Sequence, residues 1–179
     1  MSAPRFALLS ALGLLAVGAA SPALAECMTA PQTMTLPEQR LDARLQDLAH
    51  KTGCPVQVDA ALLADKRAPA LSGDLTPEQA YLGSIRHAGL EGAPIQGGWR
   101  IDRAQQDRLA ARTAEVRTRA IAARRDGRLN GRALSSIQRQ LSAVDAQAAA
   151  LVRRQGFLSA AERASFDATL DGLAARAGG

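Results

Sequence analysis

Few residues in this sequence could carry acid–base, nucleophilic or metal chemistry. The two histidines, His50 and His87, have no cysteine, histidine or carboxylate at metal-ligand spacing. Each stands near the predicted end of a helix, where the helix dipole favours a cation. Gly97 and Gly98 are predicted to form a hairpin turn rather than a phosphate-binding loop, and no Ser–His–acid set stands in context. We therefore predict a protein that is not an enzyme and that holds no cofactor and no metal.

The first 25 residues have the organisation of a secretory signal peptide. A short segment with one positive charge, at Arg5, precedes an apolar run over residues 6–20 that is too short to span a bilayer. Small residues at Ala23 and Ala25 fit the cleavage rule, so we expect cleavage before Glu26. A retained membrane anchor is the alternative. Export predicts a periplasmic protein, in a compartment where disulfides form.

Charge divides the mature chain into two halves. Residues 26–101 carry 7 basic and 9 acidic side chains, whereas residues 102–179 carry 14 basic and 8 acidic ones. The change predicts a boundary near Ile101 between a first domain over 26–101 and a helical domain over 102–179. The basic half could contact an anionic membrane surface, although arginines interleaved with acids are typical of a solvated helix face. Predicted export argues against nucleic acid as a partner.

The first domain is predicted to begin with a strand–helix–strand unit over residues 33–59. Residues 33–36 favour a strand, and Pro37 then begins a helix whose leucines recur on one face. Gly53 is a typical left-handed helix end. Residues 54–59 alternate between apolar and polar side chains, as in a half-buried strand.

A second unit with the same plan follows. Residues 70–75 favour a strand, and Thr76 begins a helix with a capping box that is expected to end at Gly89. Residues 90–101 then favour a hairpin that turns at residues 96–98. The two units together predict an α+β fold with two β-α-β units, in which two helices lie between two small sheets.

The ordered set of these motifs resembles the secretin and TonB short N-terminal domain. The resemblance implies two helices between small sheets, and a role in protein–protein contact or signalling across the envelope rather than catalysis. Nothing after Ile101 resembles the pore or barrel that follows this domain in those families, so their transport roles are not expected. Gly83 departs from the family pattern and costs about 1 kcal/mol relative to alanine in a helix. The matching motifs are Leu36-Pro37, Leu41 to Leu48, Thr52-Gly53, Val56 and Val58, Pro69 to Gly73, Thr76 to Ala80, Gly89-Leu90 and Trp99 to Ile101.

Alanine and arginine dominate the chain after Gln105, and the lack of proline there favours helices. We expect a first helix over residues 103–126, a second that begins at Asn130 and a third that Ser159 caps. The last two form an internal repeat of 29 residues, with apolar side chains at heptad spacing. Their short connection predicts a helical hairpin, with the first helix either packed on it or bridging from the first domain.

Export, the resemblance and the missing catalytic set favour a non-catalytic envelope module that binds or signals to a protein of unknown identity. The alternative is a structural scaffold that self-associates through the basic helices. Trp99 is either a buried strand residue or an exposed anchor for a partner. We expect the partner to bind an exposed strand edge, in the hairpin or in the strand over residues 70–75. The candidate residues are Leu71, Gly73, Leu90, Ile95, Trp99 and Ile101.

We predict a disulfide between Cys27 and Cys54. The chain carries these two cysteines alone, and predicted export places them in an oxidising compartment. One precedes the first strand and the other begins the second, so adjacent parallel strands would bring them to one end of a sheet. The bond would close a loop of 27 positions. Such a loop contributes about 3 kcal/mol in the chain-entropy description.

Overall fold

The computed structural model describes residues 27–178, so the predicted signal peptide and its cleavage site lie outside the described residues. Strands and two helices come first and three long helices follow, which confirms the predicted α+β fold with a helical second half. No helix among residues 27–178 is long and apolar enough to cross a membrane. The strands are Gln32–Leu36 (β1), Gln39–Arg40 (β2), Val56–Val58 (β3), Arg67–Ala68 (β4), Leu71–Leu75 (β5), Glu91–Ile95 (β6) and Gly98–Asp102 (β7). The helices are Leu41–Thr52 (α1), Pro77–Ile85 (α2), Ala104–Arg125 (α3), Gly131–Gln155 (α4) and Ala160–Gly178 (α5).

Apart from the predicted hairpin of β6 and β7, the strands pair outside their own predicted units. β1 pairs antiparallel with β5, and β2 pairs with β4. β3 runs parallel to β7, which also forms an antiparallel hairpin with β6. The expectation that the two strands of the first unit are adjacent and parallel is therefore wrong, since β1 and β3 lie in different sheets. Apolar alternation reports which face of a strand is buried, and it does not identify the neighbouring strand.

Two helix boundaries differ from the prediction. α1 begins at Leu41 rather than at Pro37, because the two residues before it form β2 and pair with β4. α2 ends at Ile85 rather than at Gly89. His87 takes a left-handed conformation, with φ 70°, in the turn that follows α2. The chain therefore leaves α2 earlier than the position of the glycine suggests.

The C-terminal cap of α1 and the N-terminal cap of α2 are the predicted ones. Gly53 ends α1 with φ 67°, and Thr76 forms a capping box with Gln79 at the start of α2. Gly83 has a packing role, because a methyl group there would lie 2.9 Å from a side-chain carbon of Leu71 in β5. The missing side chain lets β5 lie close against α2, which offsets the low helix propensity of glycine.

The core between the small sheets contains a fully buried arginine. Arg44 of α1 donates hydrogen bonds to the carbonyl oxygens of Pro37 and Pro69 and to the hydroxyl of Ser84 in α2. Pro37 follows β1 and Pro69 precedes β5, so the guanidinium ties together the two bends beside the β1–β5 pair. These partners are neutral, and burial lowers the pKa of Arg44. Arg44 therefore cross-links α1, α2 and both bends.

The last three helices form a bundle around a second core. α3 packs against both α4 and α5, whereas the expected hairpin contact between α4 and α5 is the weakest of the three. Thr113 and Ala120 of α3 are fully buried, and their small size lets both neighbours approach closely. Of the two arrangements left open for the first long helix, packing on the other two is observed. The predicted caps at Asn130 and Ser159 are confirmed.

Replacement of Arg44 by methionine should lower the free energy of unfolding by about 2–4 kcal/mol. Methionine fills much of the space, but the carbonyl oxygens of Pro37 and Pro69 lose their buried donor. Urea unfolding followed by fluorescence of Trp99, the only tryptophan, measures the loss. Arg40→Met is the matched control, because the Arg40 side chain is 73% exposed. Its replacement should leave the stability nearly unchanged, because the salt bridge it makes is exposed. Equal stability of the two variants would contradict the role of Arg44.

Candidate functional site

The two halves of the chain meet at the start of α3, where Glu91 acts as a remote helix cap. Glu91 lies in β6 and is 5% exposed. Its carboxylate accepts the backbone N–H groups of Gln105 (3.0 Å) and Gln106 (2.9 Å). The first N–H groups of a helix have no intrahelical partner, and the helix dipole favours a negative charge there. The Gln106 side chain also donates to the carbonyl oxygen of Gly89 (3.1 Å), which ties α3 to the chain just before β6.

The carboxyl group of Glu91 is buried and depends on the N–H donors of α3. Burial raises the pKa of the Glu91 carboxyl, whereas the N–H groups of Gln105 and Gln106 act in the opposite direction. A buried carboxylate without such donors would be strongly unfavourable. β6 and α3 therefore stabilise each other, because each supplies the polar partner that the other needs.

Further contacts with the helical half close the outer edge of β6. The Gly92 N–H donates to the carbonyl oxygen of Gly156 (2.8 Å), the left-handed residue that ends α4. Pro94, two residues along and on the same side of the strand, has no N–H to donate. Just before β6, the His87 N–H donates to the carbonyl oxygen of Arg153 (3.1 Å). The outer edge of the hairpin is thus not free for strand addition, contrary to the expectation.

Three of the six predicted partner-binding residues lie in the first core. Leu90 and Ile101 are each 1% exposed, and Trp99 is 5% exposed. Of the two alternatives for Trp99, the buried strand position is the one observed. The side chains of Leu90, Trp99 and Ile101 are therefore not free to anchor a partner, because they fill the space between the helices and the sheet.

The other three predicted residues are at least partly accessible but do not form one surface. Leu71 and Gly73 lie in β5, and Leu71 packs against Gly83 of α2. Gly73 is exposed and has φ 131°, a conformation that favours glycine. Among the described residues neither β1 nor β5 has a second neighbouring strand. Ile95 is half-buried at the tip of the β6–β7 hairpin, away from this sheet.

An open cleft of about 620 Å³ lies beside the tip of that hairpin. Met28 lines it and is 44% exposed, the one large apolar side chain that is exposed among residues 27–178. Ile95 and Trp99 contribute the hairpin wall, and Pro77 and Glu78 contribute the start of α2. The cleft therefore combines an accessible apolar rim with a wall of rigid elements.

The floor of the cleft is held by the predicted disulfide. Cys27 and Cys54 are bonded, with their Cα atoms 4.8 Å apart. They meet because the segment before β1 runs past the end of α1, where the Met28 N–H donates to the carbonyl oxygen of Thr52 (3.2 Å). The Tyr81 hydroxyl donates to the carbonyl oxygen of Cys54 (2.8 Å), and the Tyr81 ring stacks on the indole of the hairpin wall with centroids 5.3 Å apart. Tyr81 thus connects both the disulfide and the hairpin wall of the cleft to the core.

A smaller cavity of about 270 Å³ adjoins this cleft and crosses the boundary between the two halves. It shares Glu78, Pro94 and Trp99 with the cleft. Its far side is formed by Phe157 and Arg163, at the connection between α4 and α5 and in α5 itself. We name the two cavities together the Met28–Phe157 groove. The helical half therefore completes a surface that begins in the first domain.

The Met28–Phe157 groove offers mainly apolar area, with charged side chains at Glu78 in the first domain and Arg163 in the helical half. Binding sites commonly combine apolar lining with a few placed polar groups in this way. Within residues 27–178, no group of three or more histidine, cysteine, aspartate or glutamate side chains could hold a metal ion.

Comparison with known proteins identifies no relative. No family model, no curated protein and no solved structure matches this chain. The resemblance to the secretin and TonB short N-terminal domain therefore stays a prediction.

Sequence reasoning missed the residues that build the groove and join the halves. Met28 stands in a segment with no regular pattern, and no sequence signal separates it from an ordinary loop residue. The role of Glu91 could be predicted from the sequence, because an acid next to an apolar leucine at the start of an apolar strand requires a polar partner. For Pro94 the sequence indicates only that a proline cannot donate to a strand ladder, and not that it forms part of a cavity wall.

The Gly156→Ala and Gly127→Ala variants test the contact between the halves. The two glycines occupy matching positions of the internal repeat and have φ 84° and 75°, so alanine costs about 1 kcal/mol of backbone strain at each. At Gly156 the added carbon would also lie 3.2 Å from the Leu82 side chain and 3.4 Å from that of Ile85, whereas at Gly127 it would meet nothing within 4 Å.

Beyond the strain that both variants share, we expect Gly156→Ala to lower the free energy of unfolding by another ~1–2 kcal/mol, the usual cost of overpacking. Urea unfolding followed by Trp99 fluorescence and by helical circular dichroism measures this. The two transitions should also lie further apart in Gly156→Ala than in Gly127→Ala, because the halves then stabilise each other less. Equal losses in the two variants would contradict close packing at Gly156.

Proposed function

We propose that the mature chain is a periplasmic, non-catalytic module of the bacterial cell envelope that binds an extended segment of a partner protein in the Met28–Phe157 groove. The observation that carries the proposal is the groove itself, which is open, mainly apolar and lined by both halves of the chain. Its partner is a segment with apolar side chains, because an apolar rim such as Met28 gains most from contact with another apolar surface.

The groove supports side-chain insertion rather than strand addition as the binding mode. The outer edge of β6 offers no free N–H group at two successive outward positions. The Gly92 N–H already donates to Gly156, and Pro94 has no N–H. Pro94 itself is exposed and, with the half-buried Ile95, presents an apolar ridge at the groove. A partner segment would therefore lie across the ridge and place its apolar side chains on either side of it.

The charges at the groove favour an orientation for this segment. Glu78 is exposed in the first turn of α2, and Arg163 lies where the groove reaches α5. A segment with a basic residue near Glu78 and an acidic residue near Arg163 would be the complementary one. The predicted export and the resemblance to a contact-making envelope domain support the same class of partner.

Self-association through the helices is the less favoured function. The heptad seam that suggested it runs over Leu134, Ile137, Leu141, Val144, Ala148 and Leu151. Its four central residues are buried in the bundle of their own chain, and the leucines at its two ends are partly buried against the same core. A seam that is already covered cannot pair with a second copy without unfolding the bundle. The open apolar surface lies instead in the groove.

In-cell photo-crosslinking tests the proposal. A photoreactive side chain at Gln96, which is exposed and lines the groove, should form a discrete crosslinked product with an envelope protein. The same group at Ala114, exposed in the middle of α3, is the positional control and should give no such product.

A second substitution connects this product to the groove. Met28→Glu should lower the yield from Gln96 about tenfold, because it places a charge in the apolar contact, whereas Met28→Leu should preserve it. Met28 is exposed, so both variants should fold. Equal products from Gln96 and Ala114, or an unchanged yield in Met28→Glu, would refute the proposal.

A further inference from the structure

The end of the three-helix bundle far from the first domain carries a cluster of exposed arginines. The first turn of α3 contacts Glu91, and α3 is 22 residues long, so its last turn lies about 33 Å from that contact. The Arg128 guanidinium donates to the carbonyl oxygen of Gly178 (3.3 Å), which brings the end of α5 to the α3–α4 connection. We name these side chains the distal arginine cluster. They are Arg124, Arg125, Arg128, Arg132 and Arg176.

The cluster has little acidic compensation. Among residues 122–134 and 174–178 the only carboxylate side chain is Asp126, and it pairs with Arg128 (3.0 Å). Five arginines and one aspartate leave a side-chain charge of +4 at this end. Elsewhere in the bundle, arginines such as Arg112 pair with carboxylates of a neighbouring helix. Charge is therefore concentrated at the distal end rather than spread along the bundle.

Helix stability alone does not explain the cluster. Arg124 and Arg125 lie in the last turn of α3, where the helix dipole favours cations. Arg132 lies in the first turn of α4, where the dipole disfavours a cation and where α4 has no acidic residue. The chain thus keeps a positive charge at a position where helix energetics favour a negative one.

We propose that the distal arginine cluster docks the protein on an anionic membrane surface, with the guanidinium groups on lipid phosphates. The planar guanidinium matches a phosphate through two parallel hydrogen bonds. Leu129 and Leu134, the nearest large apolar side chains, are partly buried against the bundle core, so the contact is electrostatic and does not insert into the bilayer.

A membrane fits this surface better than a nucleic acid does. The aromatic residues of the described chain lie in the first domain or toward the near end of the bundle, so the distal end has none on which a base could stack. They are Tyr81, Trp99, Phe157 and Phe166. The cluster and the Met28–Phe157 groove lie at opposite ends of α3, and membrane contact would leave the groove open to a partner.

Co-sedimentation of the mature full-length chain with vesicles tests this assignment. We expect binding to vesicles of equal parts phosphatidylglycerol and phosphatidylcholine, no binding to phosphatidylcholine alone, and release by salt. The triple variant Arg124→Gln, Arg125→Gln, Arg132→Gln should bind about 100-fold more weakly, at about fivefold per arginine. None of these three forms an ion pair with another described residue, so the fold should persist, as circular dichroism would check.

The matched control removes the same charge near the other end of the bundle. Arg86→Gln, Arg153→Gln, Arg154→Gln changes three exposed arginines where the two halves meet, one after α2 and two in the last turn of α4, and should weaken binding only a few-fold by loss of net charge. Equal losses in the two triple variants would overturn the proposal, and so would a parent protein that does not bind the anionic vesicles. Tighter binding to a DNA oligonucleotide at the same phosphate concentration would assign the surface to nucleic acid instead.

Discussion

The hydrogen bonds from the first turn of α3 to Glu91 are the interaction on which the arrangement of the two halves depends. A buried carboxylate and the free N–H groups of Gln105 and Gln106 are each unfavourable alone, and together they satisfy one another. These hydrogen bonds fix α3 against β6. The packing of the bundle then places the carbonyl oxygen of Gly156 where it accepts the N–H of Gly92. Two separate cores are thereby held in one orientation.

That orientation gives the molecule two different surfaces. Near the junction, the helical half closes the edge of β6 and adds Phe157 and Arg163 to a groove that starts at Met28. At the far end of α3, arginines with one acidic neighbour face solvent. If the groove binds a partner and the distal arginine cluster binds a membrane, as we propose, the length of α3 would hold the partner at a defined height above the bilayer.

The fold class and most of the helix caps are predictable from the sequence because they depend on local patterns. The capping box at Thr76 and the left-handed ends at Gly53 and Gly156 involve residues a few positions apart. Strand partners and the groove depend on residues far apart in the chain, and apolar alternation carries no information about them. Arg44 shows the same limit, since an arginine in a polar helix is ordinarily solvated and only the tertiary fold buries it.

Amide hydrogen exchange at Gln105 and Gln106 tests the central claim most directly. Amides in the first turn of a helix ordinarily exchange fast, because they have no partner within the helix. If Glu91 joins the halves, these two amides and that of Gly92 should be protected as strongly as amides of the β6–β7 hairpin. Exchange at the rate of an unstructured peptide, while the hairpin stays protected, would show that the halves are not joined and would contradict the account.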